Sequence, residues 1–160
     1  GWLKLVRDSK QLTPEKREVL SVYIHRVAVA IGIGFVSSEV IDKRGIVKAT
    51  HQAMRLAIKQ LSSPAETLLI DYLRLPGVRL PQKGVADGDS LCISIACASS
   101  VAKVARDNLM VELDKTYDGY GLARHKGYGT EEHLACLQRL GPCPIHRRSF
   151  NPVREMIHEK

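Results

Sequence analysis

Long apolar runs are missing from this sequence, as are several other features that would assign it quickly to a class. No apolar run reaches the roughly 18 residues that a helix needs to cross a bilayer. The first ten residues, GWLKLVRDSK, lack the charged leader, apolar stretch and small-residue cleavage site of a secretory signal. There is no internal repeat and no low-complexity tract. These absences argue against an intact signal peptide, a membrane span and a repeat architecture.

Cysteine pairs with zinc-ribbon spacing are also absent. The four cysteines are Cys92, Cys97, Cys136 and Cys143, and neither neighbouring pair has the CxxC spacing of a zinc ribbon. Cys92 and Cys97 lie in the apolar stretch LCISIACASSVA, where small buried thiols are common. The pattern favours reduced, structural cysteines and hence a cytoplasmic location. A four-cysteine metal protein stays open as an alternative.

The composition is that of an ordinary globular protein. Hydrophobic residues make up 44% of the 160 residues and charged residues 26%, which argues against wholesale disorder and a fibrous protein. The length fits a single domain over residues 1–160. Because the sequence begins with Gly1 rather than Met, we expect that Gly1 is not a natural start. The 24 Lys and Arg residues exceed the 17 Asp and Glu residues, and the net charge of +7 favours an anionic partner such as nucleic acid.

Capping residues and periodicity predict alternating helices and strands. A helix capped by Thr13, with Pro14 first, is expected to run to about Ala28. A strand in VAVAIGIGFVSS and a helix from Ile46 to Leu61 are expected to follow. Next come a strand in TLLIDYL, a short strand before Asp87 and a long helix from Ser90 to about Tyr117. After the loop YDGYGLARHKGYGT, Thr130 caps a helix through Leu140, and the basic segment GPCPIHRRSFNPV is expected to be irregular. This order predicts an α/β domain.

Two aspartates stand out at predicted element ends. Asp71 lies near the end of a strand of the kind found in a sheet covered on both faces, where a carboxylate needs an ion partner, a turn to cap or a metal. Asp89 lies 18 residues later (89 − 71 = 18) in a Gly-Asp-Ser turn that begins an apolar helix. There it either stabilises the first turn of the helix or acts as a second metal ligand. From the residues alone, the structural roles are favoured for both.

A series of motifs, in order along the chain, resembles the ribonuclease HII family, the bacterial type 2 ribonuclease H. The motifs are DSKQLTPEKRE, ATHQAMRLAI, LLID, the Gly88-Asp89-Ser90 turn, SSVAKVARDNLM, YGLARHKGYGTEEHL and GPCPIHRRSFNPV, from about residue 8 to residue 153. The resemblance implies a ribonuclease H-like α/β fold, with a mixed sheet flanked by helices and a helical C-terminal part. It also implies an endonuclease that hydrolyses the RNA strand of RNA/DNA hybrids and cuts 5′ to ribonucleotides embedded in duplex DNA.

The resemblance further implies a site of four acidic residues around two divalent ions, Mn²⁺ or Mg²⁺. Asp71 matches the third and Asp89 the fourth, which makes both of them catalytic metal ligands and reverses the preference stated above. The first two belong to an amino-terminal Asp-Glu-x-Gly-Arg-Gly motif that these 160 residues do not contain. We therefore expect that the first strands of the sheet are missing and that nuclease activity is impaired. Tyr72 departs from the family, in which a glycine commonly follows the strand aspartate.

Substrate-binding residues are assigned in the same way, motif by motif. Ser9 and Lys10 match the loop beside the substrate phosphates, and Tyr128 in HKGYGT matches the tyrosine that stacks on a sugar at the RNA to DNA junction. Lys103 and Arg106 can contact phosphates, although Arg106 can equally pair with Asp107. The remaining candidates, which either line the same groove or solubilise their loops, are His125, Lys126, His146, Arg147 and Arg148. None of the six histidines is assigned a catalytic role.

The expected partners are RNA/DNA hybrids and duplex DNA that contains ribonucleotides, with no membrane, and the complete protein is expected to be a monomer. The rival hypothesis is a catalytically inactive remnant that keeps a basic groove for RNA/DNA. A coding sequence with the acidic motif in frame upstream of Gly1 would favour the enzyme.

Overall fold

The computed structural model of the chain describes Trp2, Val6 and residues 12–158. Ser9 and Lys10, two of the predicted substrate-binding residues, lie outside the described residues. Within the described part, no helix is both long enough and apolar enough to cross a membrane. The architecture is mixed α/β, with a small parallel sheet and a carboxyl-terminal part built of helices, as the sequence predicts.

The described residues form two compact units. The first unit draws on Gly1–Phe35 and His51–Ala105, and the second draws on Val36–Thr50 and Arg106–Lys160. The organisation of residues 1–160 as one domain stays a prediction.

Helix α1 spans Pro14–Val27 in the first unit and confirms the capping prediction. The Thr13 hydroxyl oxygen accepts the Lys16 amide at 3.4 Å, and Pro14 takes the first helical position, where its missing N–H has no partner to lose. Leu20 and Ile24, one turn apart, are buried in the apolar core of this unit. Ala96 and Val101 also belong to this core.

Residues 28–37 form no strand, so the prediction of a buried strand in VAVAIGIGFVSS is wrong. In the first unit this segment lies directly against helix α3, which spans Ile46–Lys59 and confirms the helix predicted there. A Cβ atom on Gly32 would stand 2.0 Å from the Ala57 carbonyl oxygen, and one on Gly34 would stand 1.9 Å from that of Ala53. Only glycine allows this approach, so the segment contacts a helix where a strand was expected.

Strands β1 (Leu68–Asp71) and β2 (Gln82–Val85) form a two-stranded parallel sheet. The register pairs Leu68 with Gln82 and Asp71 with Val85, so Asp71 occupies the carboxyl end of its strand, as predicted. Ile70 is buried, whereas Leu69 is 45% exposed. The expectation of a strand covered on both faces is therefore wrong for β1 in the described structure.

The predicted long helix from Ser90 is divided in two. Helix α4 spans only Gly88–Leu91, and helix α5 spans Ile93–Thr116. Between them Cys92 has extended backbone dihedrals, φ −126° and ψ 116°. The Cys92 amide still donates to the Gly88 carbonyl oxygen at 2.8 Å, so the break changes the chain direction without leaving this donor unpaired.

The second unit contains four further helices around its own core. They are α2 (Ser38–Arg44), α6 (Leu122–His125), α7 (Glu131–Leu140) and α8 (Val153–His158). Helix α7 confirms its prediction, because the Thr130 hydroxyl oxygen accepts the His133 amide at 3.2 Å as an N-cap. Tyr120, Leu122, Leu137 and Val153 are the buried apolar residues of this core.

Candidate functional site

Asp71, at the carboxyl end of β1, accepts a hydrogen bond from the turn that carries Asp89 in the first unit. The Gly88 amide donates a hydrogen bond to Asp71 Oδ1 at 2.8 Å, and Asp89 is the next residue, in the first turn of α4. The Ser90 hydroxyl lies 3.5 Å from Asp89 Oδ1. Asp71 thus satisfies an amide of the turn, which is one of its expected structural roles. That bond also places it beside the residue that carries the second carboxylate.

Gly88 allows this arrangement because it has no side chain. A Cβ atom at residue 88 would lie 2.6 Å from Ile95 Cδ1 and 3.2 Å from Asp71 Oδ1. Real Cβ atoms essentially never approach a carbon as closely as the first distance, so a larger residue requires Ile95 to shift. The glycine therefore allows the short contact between the Asp71 carboxylate and the turn that carries Asp89.

Tyr72 has a left-handed backbone immediately after Asp71. Its φ is 59°, its amide donates to the Val85 carbonyl oxygen at 2.8 Å, and the Leu73 amide donates to the Asp71 carbonyl oxygen at 2.6 Å. The chain therefore turns sharply where the strand ends. Side chains disfavour this region of backbone space and glycine does not. This geometry gives a physical reason for the glycine expected at this position in related sequences.

The carboxylate oxygens of Asp71 and Asp89 are the type of ligand that a hard divalent ion prefers. Carboxylate oxygens are the ligands that Mg²⁺ and Mn²⁺ prefer, and Asp71 is exposed while Asp89 is half-buried. Among the described residues, no group of three or more His, Cys, Asp or Glu side chains is placed to hold a metal ion. The described residues therefore supply two carboxylates toward such a site, and their role as ligands stays a prediction.

Tyr128 lies in the second unit, on a turn that its neighbours fix firmly. Lys126 and Gly127 both have left-handed backbone, with φ of 52° and 75°. The Tyr128 amide donates to the His125 carbonyl oxygen at 2.9 Å, and the Tyr128 carbonyl oxygen accepts the Thr130 amide at 2.8 Å. The side chain is 53% exposed. A flat, partly exposed ring on a rigid turn is suited to stacking on a sugar or base.

Arg106 lies beside this ring. Its guanidinium carbon is 5.1 Å from the centre of the Tyr128 ring, within cation–π range. Its Nη1 atom is 3.8 Å from Asp107 Oδ1, which is a long ion pair. Arg106 therefore pairs with Asp107, which is one of the two predicted alternatives. Its contact with the Tyr128 ring was not predicted. Lys103 is half-buried on α5 in the first unit, and its phosphate-binding role stays a prediction.

The basic segment that carries Arg147 is held by an aspartate that the sequence analysis missed. Asp42 on α2 accepts the amides of Arg148 and Ser149, each at 2.9 Å, and the Ser149 hydroxyl at 2.5 Å. Burial raises the pKa of Asp42, but the hydrogen bonds from Ser149 and Arg148 outweigh it and bring the pKa below the ordinary value. Arg147 is exposed, with its guanidinium carbon 4.1 Å from the centre of the Phe150 ring. No local pattern signals the contact with Asp42, because more than 100 residues separate the partners.

Three histidines form a stacked cluster beneath the Tyr128 turn. The rings of His125 and His133 are 4.3 Å apart and nearly parallel, and those of His133 and His146 are 5.4 Å apart. His125 and His133 are buried and His146 is half-buried, so His125 and His146 do not simply solubilise their loops. Burial lowers the pKa of His133 and of His146. The repeated His residues in HKGYGTEEH and PIH were the available signal for this cluster.

All four cysteines are free thiols and half-buried. Burial raises the pKa of the Cys97 thiol and of the Cys143 thiol. A raised thiol pKa disfavours the thiolate, which is the nucleophilic and metal-binding form. These two cysteines therefore have the character of structural residues, as expected from the sequence.

Known proteins similar to this chain identify its family. A family model described as Ribonuclease HII matches residues 4–153. The chain is 54% identical over 156 residues to a ribonuclease HII of Dehalococcoides mccartyi, and the aligned region covers 98% of this chain and 74% of that protein. It is 55% identical over 157 residues to a ribonuclease HII of Geobacillus kaustophilus, and the aligned region covers 98% of this chain and 60% of that protein.

The fold is also similar to a solved structure. The crystal structure of the ribonuclease H2 from Pyrococcus horikoshii OT3 superimposes with a TM-score of 0.77 and 22% sequence identity. The match covers 96% of this chain and 81% of that chain, and it confirms the predicted ribonuclease H-like fold. With the family match over residues 4–153 and relatives above 50% identity, the chain belongs to the ribonuclease HII family.

Proposed function

We propose that this chain acts as an endonuclease on RNA that is paired with or embedded in DNA. Its substrates would be the RNA strand of RNA/DNA hybrids and single ribonucleotides within duplex DNA, with cleavage on the 5′ side of the ribonucleotide. Membership in the ribonuclease HII family supports a hydrolase of the ribonuclease H type. The observation that carries the proposal is the hydrogen bond between Asp71 and Gly88, which brings Asp71 and Asp89 to one edge of the sheet.

Asp71 and Asp89 are proposed as ligands of Mn²⁺ or Mg²⁺. Both offer oxygen donors, and Asp71 keeps its carboxylate at the strand end through the Gly88 amide. In a two-metal site, the chemistry supplied by the ions is activation of the attacking water and stabilisation of the leaving oxygen. The part of this chain is to fix the two carboxylates relative to each other before substrate binds.

Substrate contacts are proposed for basic and aromatic residues of the chain. Tyr128 would stack on a sugar, while Arg147, Lys103, Lys10 and Ser9 would contact phosphates. The net charge of +7 supports an anionic partner. Because phosphate contacts release counterions, we expect the affinity for a nucleic-acid duplex to fall steeply as the salt concentration rises.

The activity of these 160 residues by themselves is proposed to be weak. The sequence contains no Asp-Glu-x-Gly-Arg-Gly motif, and two carboxylates balance only part of the charge of two divalent ions. An equivalent chain with an amino-terminal segment that carries this motif is expected to cleave faster. Equal rates for both chains on a duplex with one ribonucleotide would contradict this part of the proposal.

The ligand roles are tested with carboxylate variants and a matched control. We expect Asp71→Asn and Asp89→Asn each to lower single-turnover cleavage by roughly 100-fold or more, because a bound ion contributes several kcal/mol of charge stabilisation. Asp87→Asn removes the same charge two residues from Asp89, and asparagine tolerates the left-handed backbone there, φ 51°. This control should change the rate by less than about threefold. Mn²⁺ binding, followed by electron paramagnetic resonance, gives a readout that does not depend on cleavage.

The alternative function is an inactive protein that binds RNA/DNA. It predicts tight, salt-dependent binding of a hybrid duplex and no cleavage even when the acidic motif is supplied. Metal-dependent cleavage that disappears in Asp89→Asn would exclude it. A monomeric state of the complete protein and a cytoplasmic location are proposed alongside either function, and sedimentation analysis of the complete protein checks the first.

A further inference from the structure

The hydrogen bonds of the histidine cluster reach the backbone of the Tyr128 turn. His133 Nδ1 lies 2.9 Å from the Tyr128 carbonyl oxygen, and a carbonyl oxygen only accepts hydrogen bonds. Nδ1 of His133 must therefore carry a proton. The other ring nitrogen, Nε2, lies 3.2 Å from Nε2 of His146. In a neutral His133 this second nitrogen is an acceptor, so His146 must donate from its own Nε2.

The far side of His146 agrees with this direction. If His146 donates from Nε2 and is neutral, its Nδ1 must accept. The Cys143 amide and the Cys143 thiol both lie 3.1 Å from Nδ1, and the amide hydrogen points toward it. The Cys143 carbonyl oxygen is 3.3 Å from the same nitrogen, but this oxygen already accepts the His146 amide at 3.0 Å. The hydrogen bonds therefore run in one direction, from Cys143 through His146 and His133 to Tyr128.

His125 fixes the other side of the same turn in the same way. Its Nε2 atom lies 2.7 Å from the Tyr120 carbonyl oxygen and must donate, while its Nδ1 atom accepts the Gly127 amide at 3.1 Å. A proton added to any of the three rings would place two donors face to face. All of these contacts are satisfied together when His133 carries its proton on Nδ1 and both His125 and His146 carry theirs on Nε2.

We propose that His133 and His146 are positioning residues for substrate binding, which hold the Tyr128 turn through this directed pair of neutral imidazoles. The inference rests on the proposed contact between Tyr128 and the substrate sugar. It differs from a role in general stability because one atom, His133 Nδ1, transmits the effect to the backbone of Tyr128. Burial, which lowers the pKa of both rings, supports the neutral state at physiological pH.

Few other ionisable groups face the pair. The His125 ring stacks on His133, and the Tyr120 ring lies 5.4 Å from His146 with its hydroxyl donating to the Gly141 carbonyl oxygen. The Cys143 thiol is within hydrogen-bond distance of His146. The ion pair of Arg124 with Glu132 is exposed. Cys136 lies in the same core as Tyr120. Among these groups, His133 and His146 are the ones whose pKa values burial lowers.

The test compares two substitutions of His133, each of which keeps a polar group near the position of one ring nitrogen. In His133→Asn the side-chain amide nitrogen takes the place of Nδ1 and can still donate to Tyr128, whereas His133→Gln keeps a polar group near Nε2 and loses that donor. Affinity is measured for a fluorescent DNA duplex with one ribonucleotide, in Ca²⁺ so that cleavage does not interfere. We expect His133→Gln to weaken binding by about threefold to tenfold, the usual effect of one hydrogen bond, and His133→Asn to stay close to the unmodified protein.

A double variant separates positioning from stability. In the Tyr128→Ala background, His133→Gln should weaken binding by less than about twofold, because its effect is transmitted through Tyr128. Independent, multiplying effects would overturn the positioning role. If Tyr128→Ala weakens binding and His133→Gln does not, the positioning role alone is wrong. If neither changes binding, the proposed contact of Tyr128 with substrate is wrong as well.

Nuclear magnetic resonance of the unmodified protein tests the tautomers directly, even where a variant fails to fold. Long-range ¹H–¹⁵N spectra should show His133 protonated at Nδ1 and His146 at Nε2 near pH 7.5. Free imidazole favours the Nε2-protonated form, so the expected state of His133 is distinctive. Protonation of His133 at Nε2, or a charged ring at that pH, would overturn the inference.

Discussion

Asp42 and Ser149 are joined by two hydrogen bonds although 107 positions separate them in the sequence. The carboxylate of Asp42 accepts both the amide and the hydroxyl of Ser149, and it also accepts the amide of Arg148. One side chain of α2 thereby holds the loop that carries the exposed Arg147.

Asp42→Asn should destabilise the protein, because an amide group cannot accept all three hydrogen bonds. We expect a loss of about 1–2 kcal/mol in the free energy of unfolding, measured in urea. Glu39→Gln, at an exposed position of the same helix, removes one negative charge from a residue outside the loop contact and serves as control. If both variants lose the same free energy, the loss comes from the helix charge and the loop contact contributes nothing.

The stabilisation by Asp42 should also depend on pH. The pKa of Asp42 is lower in the folded protein than the ordinary value of 3.8, so the unfolded chain binds a proton more readily. The contribution is therefore complete above about pH 5 and declines as the pH falls through 3.8 toward the folded pKa. The difference in stability between the unmodified protein and Asp42→Asn should shrink between pH 6 and pH 3. A constant difference would contradict the pKa direction.

Gly88→Ala should destabilise the turn between Asp71 and Asp89. The added methyl group would stand 2.6 Å from Ile95 Cδ1, and overpacking of this kind costs about 1–3 kcal/mol. Ile95→Val removes the atom that clashes, so the double variant should recover part of the loss and show a favourable coupling energy. Simple addition of the two single losses in thermal unfolding would show that Ile95 is not the obstacle.

Replacement of Tyr72 should separate backbone strain from side-chain effects. Both Tyr72→Ala and Tyr72→Gly remove the exposed ring, but only glycine adopts the left-handed φ of 59° without strain. We expect the glycine variant to be more stable than the alanine variant by about 1 kcal/mol, despite the greater chain entropy that glycine loses on folding. Calorimetric unfolding of the two variants decides, and an alanine variant of equal or greater stability would show that no strain is stored there.

The histidine cluster should make the folded state sensitive to mild acid. The pKa values of His133 and His146 are lowered in the folded protein, so below about pH 6.5 the unfolded chain takes up protons that the folded chain excludes. Stability should therefore be complete above pH 6.5 and decline as the pH falls from there toward the folded pKa. His133→Asn removes one of these groups and should reduce the slope of unfolding free energy against pH in that range. An unchanged slope would exclude His133 as a contributor.

Local signals in the sequence predict several elements well. Thr13 and Thr130 each cap the helix that follows them, because an N-cap hydroxyl and the amide it accepts are only three residues apart. The apolar LLID segment likewise identifies β1 and places Asp71 at its end. In these cases the partners that decide the structure are sequence neighbours.

Other features depend on partners that no local pattern reveals. No glycine or proline stands next to the break at Cys92, and the mainly apolar residues around it suit a continuous helix. Helix α2 was missed, although Ser37 and Gly45 flank it as capping residues. The Asp42 contact joins residues more than 100 positions apart, and the histidine cluster joins rings from three separate segments of the second unit. At the candidate site, the two aspartates were predictable by resemblance, whereas the groups that hold Tyr128 became visible only in three dimensions.

The glycines that lie against α3 have a consequence for mutational scanning. Gly32 and Gly34 face helix carbonyl oxygens, while Ile31 and Ile33, which alternate with them, pack against the apolar core of the first unit. A saturation screen of this segment would thus alternate between positions that accept no side chain and positions that require an apolar one. Such a two-residue period is usually taken as evidence of a β-strand. Here it would arise from a chain that is held between a helix and a core and forms no strand.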